Sequence, residues 1–140
     1  NLSGTLLYME TSRGRIIYQE NPFKLIVEVD NQLGDYYRSL IPKHYRCQKP
    51  MYDSHISVLR NETPIQIEHW NKYHNLEIDF EYDPFIFNSE IYFWLNVHSR
   101  FLEELRLELG LTATNELTKP PDGTGCFHIT IANTKHLRNI

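Results

Sequence analysis

A strand, a helix and a second strand carrying His-x-Ser or His-x-Thr follow one another in each half of this chain. In the first half, alternation and β-branched content predict a strand over Lys24–Asp30, a helix over Asn31–Pro42 and a strand over His55–Arg60. In the second half they predict a strand over Glu90–Val97, a helix within His98–Gly110 and a strand over Cys126–Ala132. Residues two apart on a strand share a face. His55 and Ser57 therefore point one way while Ile56 and Val58 point the other, and His128 and Thr130 share a face opposite Phe127, Ile129 and Ile131. The apolar sets anchor each strand in a core, so the polar sets must line water or a cleft. Two such units related by a rough two-fold axis would bring the histidine strands side by side.

Other elements fill in around this duplication. Further strands are expected at Thr5–Met9 and Leu76–Tyr82, with a weaker one at Arg15–Gln19. In the first helix Leu33, Tyr36, Tyr37, Leu40 and Ile41 recur at helical spacing, and Pro42 ends the run. In the second, Phe101, Leu102, Leu105, Leu109 and Leu107 form the apolar face, Ser99 caps the start and Gly110 stops the end. Glu103, Glu104, Arg106 and Glu108 read as its solvated face. A short third helix is expected after Pro64, in Ile65–Asn75. The polar stretch Thr112–Gly125, with two prolines and two glycines, reads as a loop and a candidate lid, with Lys119, Asp122 and Thr124 turned toward ligand.

The chain is 140 residues long, which suits one α+β domain over residues 1–140. A formal net charge of −4 argues against a protein that grips long nucleic acid by neutralising phosphates, and leaves room for a small anionic ligand in a local pocket. Cys47 and Cys126 lack paired CxxC spacing, so reduced thiols in a cytoplasmic protein are the expectation. No apolar run approaches the roughly 20 residues needed to span a bilayer, and the amino end lacks the order of a secretory signal. A cytoplasmic monomer without membrane contact is expected. His69 and His74 are not at the i, i+4 spacing of a helical metal pair, and His44, His98 and His136 have no partner in the sequence, so no metal site is expected.

Two imidazoles and two hydroxyls facing one cleft are the equipment for acid–base attack on a phosphodiester. A neutral imidazole takes a proton from the attacking oxygen, an imidazolium gives one to the leaving oxygen, and hydroxyls hold the nonbridging oxygens. Unperturbed imidazole titrates near 6.5, so both forms are accessible close to neutral pH. Around this centre, Tyr8 and Trp94 are candidates to stack on a nucleobase. Arg60, Asn133 and Lys135, which follow the two motifs, are candidates to meet phosphate at the cleft rim.

The strings HISV, at His55–Val58, and HITI, at His128–Ile131, resemble the paired His-x-Ser/Thr signature of the two-histidine (2H) phosphoesterase superfamily. The resemblance spans nearly the whole chain. It implies a bilobal α+β fold, with two pseudo-symmetric lobes whose antiparallel sheets flank a central cleft and whose helices lie outside. It also implies metal-independent catalysis on nucleotide phosphodiesters without a cofactor, with catalytic roles for His55, Ser57, His128 and Thr130. Ser57 stands where many relatives carry Thr. The strings DYYRSLIPK, SHISVLRNE, FEYDPFI, YFWLNV, LEELRLELGL and FHITIANTK are similar to the small phage branch, some of whose members linearise cyclic oligonucleotide signals of CBASS immunity. That likeness implies cleavage of 3′–5′ bonds in a cyclic dinucleotide or larger cyclic oligonucleotide and, for a phage-encoded protein, action in the host cytoplasm. An RNA-end enzyme that opens 2′,3′-cyclic phosphates or processes 2′–5′ bonds, and a nucleotide sponge that binds without cutting, are the rival readings.

Overall fold

The computed structural model describes residues 8–116, 118–120 and 126–138. Seven strands and two helices are present among them: β1 Glu10–Gln19, β2 Lys24–Val29, α1 Asn31–Ser39, β3 His55–Arg60, β4 Glu77–Tyr82, β5 Phe87–Asn88, β6 Tyr92–His98, α2 Arg100–Glu108 and β7 Phe127–Asn133. Short 3-10 turns lie at Lys43–Tyr45, Ile67–His69 and Lys135–Arg138. All strand pairings are antiparallel, in the order β4-β1-β2-β3-β7-β6-β5. A further pairing of Glu81 with His98 and Tyr82 with Val97 joins β4 to β6 and closes six of the strands into a barrel. The fold is thus α+β with an antiparallel sheet, and the two strand groups expected to flank a cleft are joined in one closed sheet.

Alternation decides which face of that sheet is dry. β4, Glu-Ile-Asp-Phe-Glu-Tyr, buries Ile78, Phe80 and Tyr82 and exposes the three acids between them. Across the sheet one row of directly paired residues, Ile16, Val27, Ile56, Ile129 and Leu95, is wholly excluded from water and runs through five strands. Each side chain in it contributes roughly 1.5–3 kcal/mol by leaving water. Gly14 permits the close approach of β1 to β2, since a Cβ there would sit 2.4 Å from Val27 Cγ1 and 2.7 Å from the Glu28 carbonyl oxygen.

The helices begin and end as their sequences dictate. The Asp30 carboxylate accepts from the Gln32 amide at 2.9 Å to cap α1, and the Ser99 hydroxyl accepts from the Leu102 amide at 3.2 Å to cap α2. Gly110, at φ +85°, takes the left-handed turn that stops α2. On α2, Leu102, Leu105 and Leu109 are buried while Leu107 is exposed, and on α1 Tyr37 and Ile41 are buried while Tyr36 and Leu40 face water.

Several expectations are corrected. Arg106 is not on a solvated face: it is fully buried, one helical turn on from Leu102. Ile65–Asn75 contains a 3-10 turn at Ile67–His69, followed by further turns, instead of a third helix. Asn71 and Asn75 adopt positive φ there, and Trp70 leaves the segment to pack edge-on against Tyr18 and Phe23. The weak strand at Arg15–Gln19 is part of the ten-residue β1, which pairs on both edges. Of the strand expected at Thr5–Met9, residues 5–7 lie outside the described residues, and Tyr8 and Met9 precede β1. No helix among the described residues is long and apolar enough to cross a membrane.

Candidate active site

The order β2-β3-β7-β6 is symmetric about its centre, because β2-α1-β3 and β6-α2-β7 are the same strand-helix-strand unit used twice. The two units meet at β3 and β7, where Ile56 lies directly opposite Ile129. Carrying that antiparallel register one residue each way sets Ser57 opposite His128 and His55 opposite Thr130. The outer pairings then extend two rows. One reads Ile26, Ser57, His128, Asn96, and the other Glu28, His55, Thr130, Trp94. Both rows lie on the face opposite the buried isoleucines. The four residues of the two motifs therefore occupy one square of adjacent positions, with the imidazoles on one diagonal and the hydroxyls on the other. Diagonal neighbours in such a pair are about 7–8 Å apart, a separation that side chains of this length can bridge with a phosphate between them.

Both imidazoles are half-buried and held in the same way. His55 Nδ1 lies 2.8 Å from the Asp53 carbonyl oxygen, and His128 Nδ1 lies 3.1 Å from the Thr118 carbonyl oxygen. A carbonyl only accepts, so Nδ1 carries the proton in each ring and Nε2 is the nitrogen that gains or loses one. The Ser57 and Thr130 hydroxyls make no hydrogen bond to another described residue.

The carbonyls are themselves fixed by the helices. At the start of α1 the Asn31 side chain donates to Asp53 Oδ1 at 3.2 Å and accepts from the Ser54 amide at 2.8 Å. Gly34 lets α1 approach Ser54, whose Oγ would lie 2.5 Å from a Cβ at position 34. Thr118, fully buried, is tied to Asn115, with its hydroxyl and amide both donating to the Asn115 carbonyl at 3.1 and 3.0 Å.

Arg106 and Glu62 hold the far end of this segment. The Arg106 guanidinium donates to both Glu62 oxygens at 2.7 and 2.8 Å, to the Val58 carbonyl at 2.8 Å, to the Thr112 carbonyl at 2.7 Å and to Thr112 Oγ1 at 3.4 Å. Val58 is the extra residue of a bulge in β3, where the register with β2 passes from Ser57 to Leu59. Burial alone raises the Glu62 carboxyl, but the bonds and charge of Arg106, with bonds from Asn115 and the Arg60 backbone, outweigh it and hold the group below the usual carboxylate range.

The remaining expected residues are dispersed. Trp94 is on the site face but 1% exposed, stacked against Phe87 and donating its indole N–H to Asn96 Oδ1 at 2.8 Å, so it has no open face for a base. Asn133 is buried too, and its Oδ1 accepts from Gln48 Nε2 and the Lys135 amide. Both are structural, which corrects their reading as ligand-binding. Lys135 is exposed at the end of β7 with its ammonium over the Tyr92 ring, and Arg60 is exposed at the far end of β3. Arg60 is five residues along β3 from His55, and Lys135 is seven residues past His128, in the 3-10 turn after β7. Tyr8 is exposed just before β1, its hydroxyl bonded to Glu10. Of the lid residues, Lys119 pairs with Glu116, and Asp122 and Thr124 lie outside the described residues.

Sequence reasoning missed Asp53, Thr118, Asn31, Glu62 and Arg106. Backbone carbonyls leave no side-chain signature. Arg106 did leave one: it falls four residues after Leu102, on the stripe that the leucines mark as buried. Among the described residues no group of three His, Cys, Asp or Glu side chains is arranged to hold a metal. Compared with protein-family models, with curated proteins and with solved structures, the chain matches none.

Proposed function

We propose that this protein is a two-histidine phosphodiesterase that cleaves 3′–5′ bonds of cyclic oligonucleotides without a metal. The two strand-helix-strand units are its lobes, and the square formed by His55, Ser57, His128 and Thr130 is its centre. One observation carries the reading. Two imidazoles sit diagonally across adjacent antiparallel strands, each with Nδ1 against a backbone carbonyl and Nε2 left as the titrating nitrogen.

That arrangement suits a concerted displacement. Nε2 of the neutral imidazole removes the proton from a ribose 2′-OH, and the oxygen attacks phosphorus in line with the departing 5′ oxygen. Nε2 of the imidazolium gives its proton to that 5′ oxygen as the P–O bond breaks. The products are a linear strand with a 2′,3′-cyclic phosphate end and a free 5′-OH, and the ring phosphate can then be opened by water. The hydroxyls of Ser57 and Thr130 donate to the nonbridging oxygens, whose charge grows in the transition state. The Nδ1 bonds to the Asp53 and Thr118 carbonyls keep both rings oriented and fix which nitrogen carries the proton in each neutral ring.

The test is turnover of a panel of cyclic di- and trinucleotides in excess EDTA, beside RNA ending in a 2′,3′-cyclic phosphate, with His55→Ala and His128→Ala as controls. Each transfer contributes roughly 10²–10⁴ in rate, so either variant is expected to lose at least about a hundredfold. Cutting that requires EDTA-removable metal, or that survives both substitutions, overturns the mechanism. Cutting only of the RNA end assigns the substrate to that class, and tight binding of a cyclic nucleotide without turnover makes the protein a sponge.

A further inference from the structure

His55 is supported through one side chain, Asn31 at the head of α1, whereas the support of His128 runs through the connection before β7 and on to α2 and the turn after β3. His128 receives the Thr118 carbonyl, Thr118 is tied to Asn115, and Asn115 helps keep the Glu62 carboxylate in its charged form, where it pairs with Arg106. Arg106 has five N–H donors, and its five bonds engage all of them. Two reach Thr112, where the segment carrying Thr118 begins, and one reaches Val58, next to Ser57 in the first motif strand. The ion pair is shielded from water, with side-chain exposures of 0% and 11%, so its geometry is set by the packing around it.

We propose that Glu62 and Arg106 are positioning residues for the site, fixing the Asn115–Thr118 turn so that the Thr118 carbonyl holds His128 in register with Ser57. The chemistry favours a bidentate Arg–carboxylate pair in this role. A planar fork fixes direction as well as distance, and a lysine in its place can offer neither the second carboxylate contact nor the bond to Val58 at the same time. The assignment of a catalytic consequence rests on the phosphodiesterase reading; the bracing of His128 does not.

Thr118→Val removes the hydroxyl that ties the turn to Asn115 while keeping its shape, and Thr118→Ser restores that hydroxyl. Glu62→Gln weakens the ion pair, and Asn31→Ala loosens the matching support of His55. The readouts are the imidazole resonances of both histidines across pH, followed by nuclear magnetic resonance, and kcat and KM on the substrate found in the panel. Thr118→Val and Glu62→Gln are expected to shift the His128 titration and speed exchange of its Nδ1 proton with His55 unmoved, Thr118→Ser to revert both changes, and Asn31→Ala to move His55 alone. A misplacement of the order of 1 Å costs up to about a hundredfold, so kcat should fall roughly ten- to a hundredfold with KM little changed. If Glu62→Gln does not fold, Thr118→Val carries the test. His128 resonances unchanged in folded Thr118→Val overturn the proposal. Resonances that shift in a protein with no turnover of any substrate uphold the bracing and refute the phosphodiesterase reading instead.

Discussion

Ile129 and Thr130 are adjacent in β7 and point to opposite faces, so substituting them one at a time should separate stability from activity. Ile129 is fully excluded from water and lies directly opposite Ile56, in the row that joins the two halves. Ile129→Ala removes buried methylene and methyl groups and leaves a cavity in a row that is close-packed on both sides, a change that costs about 3 kcal/mol. For 140 residues the unfolding entropy is about 0.3 kcal/mol per kelvin, so Tm should fall by about 10 °C. Thr130 is half-buried and its hydroxyl bonds no described residue, so Thr130→Val should change stability by less than about 0.5 kcal/mol. The same substitution removes a donor to the nonbridging oxygens and should lower kcat by about a hundredfold. Thermal unfolding and turnover of both variants at a temperature where both are folded make the comparison. Comparable losses of Tm in the two, or full activity in Thr130→Val, would refute the division of β7 into a core face and a site face.

Three further outcomes follow from the same geometry. Because one imidazole must be neutral and the other protonated, kcat/KM should trace a bell against pH; in His55→Ala and in His128→Ala the residual rate should lose one limb each, and EDTA should leave the wild-type curve unchanged. Arg106→Met strands a buried carboxylate and should cost about 3–5 kcal/mol at pH 7, or roughly 10–17 °C in Tm. In the wild type the Glu62 pKa is lowered on folding, so its stabilisation is present above the unfolded value of 4.5 and is lost as pH falls through the lower folded value. In Arg106→Met the effect of burial is opposed only by the smaller contributions of Asn115 and the Arg60 backbone, so the gap between the two proteins should narrow as pH falls toward 4; a gap independent of pH in urea unfolding counts against the pair. Gly14→Ala places a Cβ against Val27 and the Glu28 backbone, and should cost more than about 1 kcal/mol by thermal unfolding, since one of the two neighbours is main chain and cannot rotate away.

Period-two alternation made β2, β3, β4 and β7 legible, since each buries one side more fully than the other, and β6 was legible as a largely apolar run although both of its sides are covered. Alternation also assigned His55, Ser57, His128 and Thr130 to common faces. The pairing of β3 with β7, across more than seventy positions, came instead from the duplicated strand-helix-strand order, and neither signal gave the closure of β4 onto β6. Trp94 was misplaced because alternation treats every second residue as open to solvent, and Asn133 because its position after the second motif says nothing of the Gln48 side chain and Lys135 amide that bond it. On β6 the side opposite the core is itself covered: the Trp94 indole stacks on Phe87 and donates its N–H to Asn96 Oδ1. Arg106 was misplaced for the converse reason. A charge was taken as a sign of solvent, although its helical phase matched Leu102 and Glu62 supplied a partner from a remote turn.

The same strand-helix-strand unit used twice leaves a difference in how each half is maintained. In the first unit the support is direct: Asn31 at the head of α1 clamps Asp53 and Ser54, immediately before His55, through a single amide side chain. In the second, a longer connection separates α2 from β7, and its Thr118 carbonyl must be placed through Arg106, Glu62 and Asn115. Loop-closure entropy grows with the logarithm of length, so the longer connection is costly mainly in precision and little in stability. A buried bidentate ion pair restores that precision, because it fixes orientation in a medium where water does not compete. Substitutions between Thr112 and Lys119 should therefore tune His128 while leaving His55 alone, so the loop can vary to suit a ligand only while the Arg106–Glu62 anchor beneath it is kept.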